Sequence, residues 1–297
     1  MIKKKNTGAY IYILPHFFFY FVFIIIPLFL GFFISLHRWS IFKGREEFVG
    51  LKYYLRLFDT DFIRGAHFWQ SLLVTAKFVL YYAPILVLLS LGLALLISSC
   101  KNKLVRAVSQ FSILVPTAIA VSVVAVIWRW IFGYNVGVLN YFLSCLHIEH
   151  KPWLVDLPWA WFAIILPTLW MACGWNMILF IVGLQRIPEA LYEAAKVDGA
   201  GPWKRFIHIT LPGLKPITVF IVITVLIGAF NLFAQPQLLT KGGPGRATTP
   251  VMMLLYGEAF NPRYPRLGSS VAMGFVTGAI IFFMVSVIFY CFGKKKD

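Results

Sequence analysis

The chain has 297 residues, of which 60% are hydrophobic and only 13% charged, with a mean hydropathy of +0.80. A water-soluble domain carries about a quarter charged residues, so a soluble globular fold is excluded and the bilayer is this chain's solvent. The formal charge of +16 would suit nucleic acid, but the Lys and Arg residues cluster at the ends of apolar runs, which is a membrane pattern and speaks against a nucleic-acid partner.

In chain order, Lys3, Lys4 and Lys5 open a short basic terminus over residues 1–9. The first apolar run, about residues 10–36, is far longer than a signal-peptide core and no small-x-small site follows it, so it reads as an uncleaved span. Pro15 and Pro27 inside it are tolerated in lipid where neighbours satisfy the freed backbone groups. His16 reads as a packing or interfacial residue rather than a proton relay. Residues 37–69 form an amphiphilic connection. There, Phe48 to Phe58 mixes aromatic and basic residues at helical spacing and predicts a short helix in the membrane interface. A second span covers about 71–98, with Lys77 able to snorkel from it. A short basic loop from Lys101 to Arg106 leads to a third span at about 111–131, closed by the interfacial residues Trp128, Arg129 and Trp130. After a connection from Tyr134 to Leu157, a fourth span at about 159–182 carries Pro167, Thr168, Gly174 and Asn176.

A polar island, about residues 184–216, interrupts the apolar pattern. Pro188 suits a first helical position. Glu189 and Glu193, four apart, share a helix face near the positive end of the dipole. Ala190, Ala194 and Ala195 favour helix and keep its surface thin. Asp198 and Gly199 end that helix, Gly199 by taking the left-handed conformation. Pro202 restarts a second short helix, which Leu211 and Pro212 are expected to end. The result is a rigid knob, and a water-soluble hairpin between two spans is most economically explained as a docking surface.

The order Glu193-Ala194-Ala195, Asp198-Gly199-Ala200 and Ile209-Thr210-Leu211-Pro212 resembles the EAA loop of ABC-importer permeases, here of the carbohydrate-uptake type. The resemblance covers most of the chain, because the six-span layout fits as well. It implies that Glu189, Glu193, Ala194, Ala195, Asp198, Gly199, Ala200, Leu211 and Pro212 couple this chain to an ATP-hydrolysing subunit in the cytoplasm. It further implies two ATP-binding subunits that hold ATP and Mg, a second similar permease and an extracellular solute-binding protein. The Phe48–Phe58 segment is similar to one that follows the first span in sugar-importer permeases.

The fifth span, about 217–239, carries Gly228, Asn231, Gln235, Pro236 and Gln237, so its second half is polar and expected to be broken. The following Lys241-Gly242-Gly243-Pro244-Gly245 lacks the lysine-hydroxyl ending of a nucleotide-binding loop and reads as a turn at a membrane boundary. With Leu239, Thr240, Thr248, Thr249 and Tyr256 it is similar to a segment typical of carbohydrate-importer permeases. The sixth span, about 268–292, is followed by Lys294, Lys295 and Lys296 at residues 293–297.

No catalytic constellation or metal-ligand spacing is visible, and Cys100, Cys145, Cys173 and Cys291 make no C-x-x-C. The chain is therefore read as no enzyme and as binding no cofactor or metal itself. No Asp, Glu, Lys or Arg lies near the centre of a span, where a path for a charged solute would carry a counter-charge. Amides and aromatic faces suit a neutral polyhydroxylated solute instead. Asn231 is the first candidate for a sugar contact, because its Phe-Asn-x-Phe stretch resembles a substrate-contacting region of maltose-type permeases. Gly228, Thr168 and Asn176 follow, and each equally fits a helix-packing role.

The expectation is an all-α polytopic protein with about six transmembrane helices and a cytoplasmic hairpin, in the bacterial inner membrane with both termini cytoplasmic. It would form half of the translocation path for a sugar, most simply an oligosaccharide. The alternatives are a permease for glycerol phosphate or another small solute, and an ATP-independent secondary transporter. Lys and Arg are almost balanced between the two sides. The first outer connection, with Arg38, Lys43, Arg45, Lys52, Arg56 and Arg64, is the main exception to the positive-inside pattern.

Overall fold

In hydrocarbon every backbone N–H and C=O needs an internal partner, which leaves helices as the solution for apolar runs this long. The computed structural model, which describes residues 7–40, 44–59 and 62–293, is correspondingly helical. The basic residues Lys3, Lys4, Lys5, Lys294, Lys295 and Lys296 lie outside the described residues. In chain order the helices are α1 (Thr7–Tyr20), α2 (Ile26–Ser35), α3 (Lys52–Leu57), α4 (Ile63–Ser99), α5 (Lys103–Leu114), α6 (Val121–Ile131), α7 (Val138–Cys145) and α8 (Trp159–Gln185). They continue with α9 (Glu189–Val197), α10 (Pro202–Arg205), α11 (Leu211–Phe230), α12 (Ala234–Leu239), α13 (Val251–Ala259) and α14 (Leu267–Gly293). An antiparallel hairpin of β1 (His37–Ser40) and β2 (Gly44–Phe48) lies between α2 and α3. Among the described residues five helices are long and apolar enough to cross a membrane, or six if one bent pair counts as a span.

One unit comprises the described residues of Met1–Phe68 and Leu254–Ala279. Its first span is α1 and α2 joined by a π-helical turn, Phe21–Ile25. Pro27 has no N–H to give the turn before it, and the wider turn bridges this gap through Ile26 N–H to Phe21 O. The apolar residues of this span are exposed, as lipid-facing residues are: Phe17, Phe23 and Phe29 are each more than half accessible. His16 is exposed and stacks on Tyr20 with ring centroids 6.5 Å apart. Beyond α2 the structure differs from the pattern reading: Phe48 ends β2, and the helix expected from it begins only at Lys52. Gly50 at φ +56 turns the chain there, and Val49 and Gly50 both donate to Leu36 O. Phe32 of α2 meets Phe275 of α14 edge-on at 5.7 Å.

The other unit comprises the described residues of Trp69–Met253 and Ile280–Asp297. Its core gathers Phe78, Tyr82 and Leu86 of α4, Ile164, Met177 and Phe180 of α8, and Leu214, Ile221 and Val225 of α11, all buried. Helix α8 is central and packs against α5, α6, α11 and α12. Where the sequence predicts one helix over 111–131, there are two, bent by 99°. A 3₁₀ turn at Val115–Ala118 contains Pro116, and Ile119 and Ala120 are extended, so the hydrogen-bond ladder stops before α6 restarts it. Thr117 donates across the break to Met171 O at 3.1 Å.

At the same place α8 is approached by backbone rather than side chains. A Cβ on Gly174 would collide with Ile113 O and lie 2.9 Å from Leu114 Cα, neither of which can swing away. Close approach through a small residue is how helices pack where lipid offers no hydrophobic contrast. Gly174→Ala is therefore expected to destabilise the protein by about 1–3 kcal/mol, seen as a lower melting temperature in detergent. Gly92→Ala, whose Cβ meets nothing within 4 Å, is the control that should maintain or raise it.

Candidate functional site

The four residues singled out as solute contacts come together. Thr168 and Asn176 from α8 and Gly228 and Asn231 from the end of α11 line one cavity of about 320 Å³, closed by Phe78, Tyr82 and Leu86 of α4. Trp175, Thr224 and Gln235 also line it. No charged residue does so among the described residues. Thr168 and Asn176 are about two turns apart on α8, and Asn231 caps α11 three residues after Gly228.

The polar groups are held by their own helices. Thr168 Oγ1 donates to Ile164 O at 2.7 Å, Asn176 Nδ2 to Ala172 O at 2.9 Å and Asn231 Nδ2 to Ile227 O at 2.9 Å. Thr224 Oγ1 rests on Phe220 O and Ile221 O. A side-chain amide has two N–H donors and a two-lone-pair oxygen, so one bond to the helix fixes its orientation and leaves capacity for a hydroxyl. The Phe78 and Tyr82 rings stack 4.8 Å apart and form an aromatic wall. At Asn231 the ladder of α11 ends; Phe233 at φ −141 and ψ −57 precedes α12, the break expected in this span. Tyr82, Trp175 and Thr224 were not singled out from the sequence. Aromatic and hydroxyl residues recur throughout these spans, and nothing local separates those facing the cavity.

The polar hairpin is the second candidate. Helix α9 begins at Glu189, with Pro188 as its cap rather than its first residue. Glu189 and Glu193 are exposed on its surface, as is Ala194, with Ala195 and Ala200 half-buried. The corner is tightly specified: Gly199 has φ +74, Ala200 N–H reaches back to Ala195 O at 2.8 Å and Gly199 N–H to Lys196 O at 3.1 Å. This paired closure satisfies the last carbonyls of α9. Asp198 is the last residue before the reversal.

The second arm does not end at Leu211 and Pro212. Helix α10 passes through a π turn, Phe206–Thr210, into α11, so the helix runs without a break from Pro202 to Phe230 and α12 follows it within the same candidate span. Pro212 removes one N–H from the ladder. The wider turn accommodates the loss, with Leu211 N–H bonded to Phe206 O, and the helix continues. Tyr192 Oη lies 2.9 Å from Thr210 Oγ1, which ties α9 to this turn. Around the corner three apolar side chains stand in the open: Val197 is 89%, Trp203 71% and Leu191 51% accessible. They are flanked in sequence by Glu193, Lys196, Asp198 and Lys204, too polar a company to sit in hydrocarbon.

The glycine-rich turn is self-contained. Thr240 and Thr248 hydroxyls are 2.8 Å apart, Thr248 donates to Gly243 O at 2.6 Å and Thr249 to Gly242 O at 3.2 Å. Val251 N–H docks on Thr75 Oγ1 of α4. Its hydroxyls organise the loop.

Residues 87–295 match the family model described as binding-protein-dependent transport system inner membrane component. The chain is 32% identical over 301 residues, covering 100% of both chains, to a probable ABC transporter permease protein, YurN, of Bacillus subtilis. It is 36% identical to the trehalose/maltose transport system permease protein MalF of Thermococcus litoralis, over 85% of this chain and 83% of that one. Among solved structures, a chain of a bacterial alginate ABC transporter in complex with an alginate pentasaccharide-bound periplasmic protein superposes with a TM-score of 0.78. It covers 95% of this chain and 92% of that one at 21% identity, which speaks to the fold.

Proposed function

The chain belongs to the binding-protein-dependent transport system inner membrane components, the permeases of ABC importers, and we propose that it forms half of the path for a neutral sugar, delivered by a solute-binding protein and driven by ATP hydrolysis in separate subunits. The observation that carries this reading is a shared pair of helices. The hairpin joins the C-terminal end of α8 to the N-terminal end of the α10–α11 run, and these are the helices that bring Thr168, Asn176, Gly228 and Asn231 to the cavity. From Pro202 to Gly228 the helix rise amounts to about 40 Å. A displacement of the knob is thus transmitted along a stiff rod to the cavity wall.

In this reading the hairpin is cytoplasmic, along with both termini, and Glu189, Glu193, Ala194, Ala195, Asp198, Gly199, Ala200, Leu211 and Pro212 shape or support the surface that meets an ATP-binding subunit. A second permease would complete the path and offer the other ATP-binding subunit its own knob. The exposed side chains of Leu191, Val197 and Trp203 supply apolar contacts, and the carboxylates of Glu189 and Glu193 orient them. The uncharged cavity favours a sugar over glycerol phosphate, whose phosphate would call for a fixed cation. Many relatives at this level of similarity carry saccharides, trehalose and maltose among them, which supports the same substrate class.

The test is transport by the reconstituted assembly of this chain with its partner permease, ATP-binding subunits and binding protein. Uptake of labelled oligosaccharide should require ATP and be indifferent to an ion gradient. Gradient-driven uptake without ATP would establish the secondary-transporter reading instead. Within that assay Asn231→Leu is expected to lower uptake at limiting sugar by about five- to tenfold, the worth of one lost hydrogen bond. ATP hydrolysis in the presence of binding protein should persist, and unchanged uptake would remove Asn231 from the path.

A further inference from the structure

The cations that depart from the positive-inside pattern are not scattered. Arg38, Lys52, Arg56 and Arg64 from the first connection meet Arg263 and Arg266 from the segment before α14 around one cavity of about 460 Å³. Among the described residues no carboxylate lines it. Glu47 lies 3.4 Å from Arg38 and Glu258 3.9 Å from Arg64, and Asp59 shares an adjoining cavity with Lys52 and Arg56, so six cations stand among fewer acids in the described residues. The Arg56 and Arg64 guanidiniums both lie against the ring of Phe62, at 5.3 and 5.5 Å from its centroid. Two like charges drawn to one ring raise the local potential, which an anion would lower.

Depth identifies the anion. The cavity opens where α2 has just ended at Ser35, where α4 starts at Ile63 and where α14 starts at Leu267. Span ends lie at the level of the lipid headgroups, and Trp39, Tyr53 and Tyr264 supply the aromatic lining typical of that level. We infer that this cavity binds the phosphate of an anionic phospholipid, held by guanidinium forks that match phosphate oxygens in pairs. A concave site of this size suits one headgroup better than the broad face of a protein partner. The bound lipid would offset part of the cluster's charge and pin the β1–β2 hairpin and α3 to the membrane surface.

The experiment places the full chain in nanodiscs of phosphatidylcholine with and without phosphatidylglycerol and counts retained lipids by native mass spectrometry after transfer to detergent. Selective retention of phosphatidylglycerol, lost at high salt, is the expected result, and equal retention of the two lipids would overturn the inference. Lys52→Gln with Arg263→Gln, both at exposed positions, should lower that retention about tenfold. Arg263→Lys, which keeps the charge but loses the fork, should retain part of it, and Arg129→Gln, an exposed cation on α6 outside the cavity, should not change it. Melting temperature in phosphatidylcholine discs verifies that the variants are folded. If sn-glycerol 3-phosphate or inorganic phosphate displaces the lipid at micromolar concentration, the site serves free phosphate and the lipid assignment fails. It fails equally if the double variant keeps its lipid but loses binding-protein-dependent uptake, which would make the cavity a protein-docking site.

Discussion

Gly199→Val is expected to abolish sugar uptake while the protein stays folded in the membrane and the ATP-binding subunits continue to hydrolyse ATP. A Cβ at this position would meet nothing within 4 Å, so the substitution causes no collision. The cost is conformational. The corner holds φ at +74, where a non-glycine residue costs about 1–2 kcal/mol and a β-branched one more. The chain relieves that cost by abandoning the left-handed turn. The bonds from Ala200 to Ala195 O and from Gly199 to Lys196 O are lost with it, and α9 then points away from α10. Because the knob is exposed and carries no part of the core around α8, its distortion does not unfold the spans. Gly199→Asn, which tolerates the left-handed region, should retain most of the activity, and Gly199→Ala should fall between. Measuring uptake and phosphate release side by side in proteoliposomes checks this. A valine variant that transports normally would show that the corner does not couple the two.

Gly228→Phe is expected to have the opposite signature: an intact knob and a blocked path. Gly228 lines the cavity between α4, α8 and α11, and a Cβ built on it meets no atom within 4 Å. A large side chain there enters open space and needs no movement of the core. Replacing a helical glycine also removes a backbone-entropy penalty of roughly 1 kcal/mol, so expression and melting temperature should be maintained or raised. Uptake should drop by about tenfold or more as the cavity fills, with Gly228→Ala close to wild type. Binding of the ATP-binding subunits should be unaffected, which separates this variant from the one at Gly199. Unimpaired oligosaccharide uptake by Gly228→Phe would exclude the cavity from the path.

Much of this architecture follows from signals carried within a few residues. Apolar runs of span length announce membrane helices whatever their neighbours do. Asp198-Gly199-Ala200 announces a helix stop, because only the local φ matters there, and Gly199 indeed takes the left-handed value. The break in the fifth span was legible in Asn231, Gln235 and Pro236, which leave the ladder without apolar cover. Local signals failed where two helices could share a proline. Pro212 was expected to end a helix and instead sits in a continuous one, since a π turn absorbs the missing donor. Residues 111–131 read as one apolar helix, but Pro116 and the backbone contact with Gly174 divide it.

The sequence by itself determined that this is a helical membrane protein, how many spans it can have and where its polar knob turns, because hydropathy and backbone freedom are properties of short stretches. Tertiary structure alone decided which faces meet. Helices α8 and α11 are apolar on every side, so no periodicity distinguishes the face toward lipid from the face toward a neighbour, and in a bilayer both environments are equally apolar. Only packing brought Tyr82, Trp175 and Thr224 beside Thr168, Asn176, Gly228 and Asn231. Only packing, too, drew cations some two hundred residues apart, Arg38 and Arg263 among them, to one cavity, because a long-range meeting of like charges leaves no trace in any local stretch of chain.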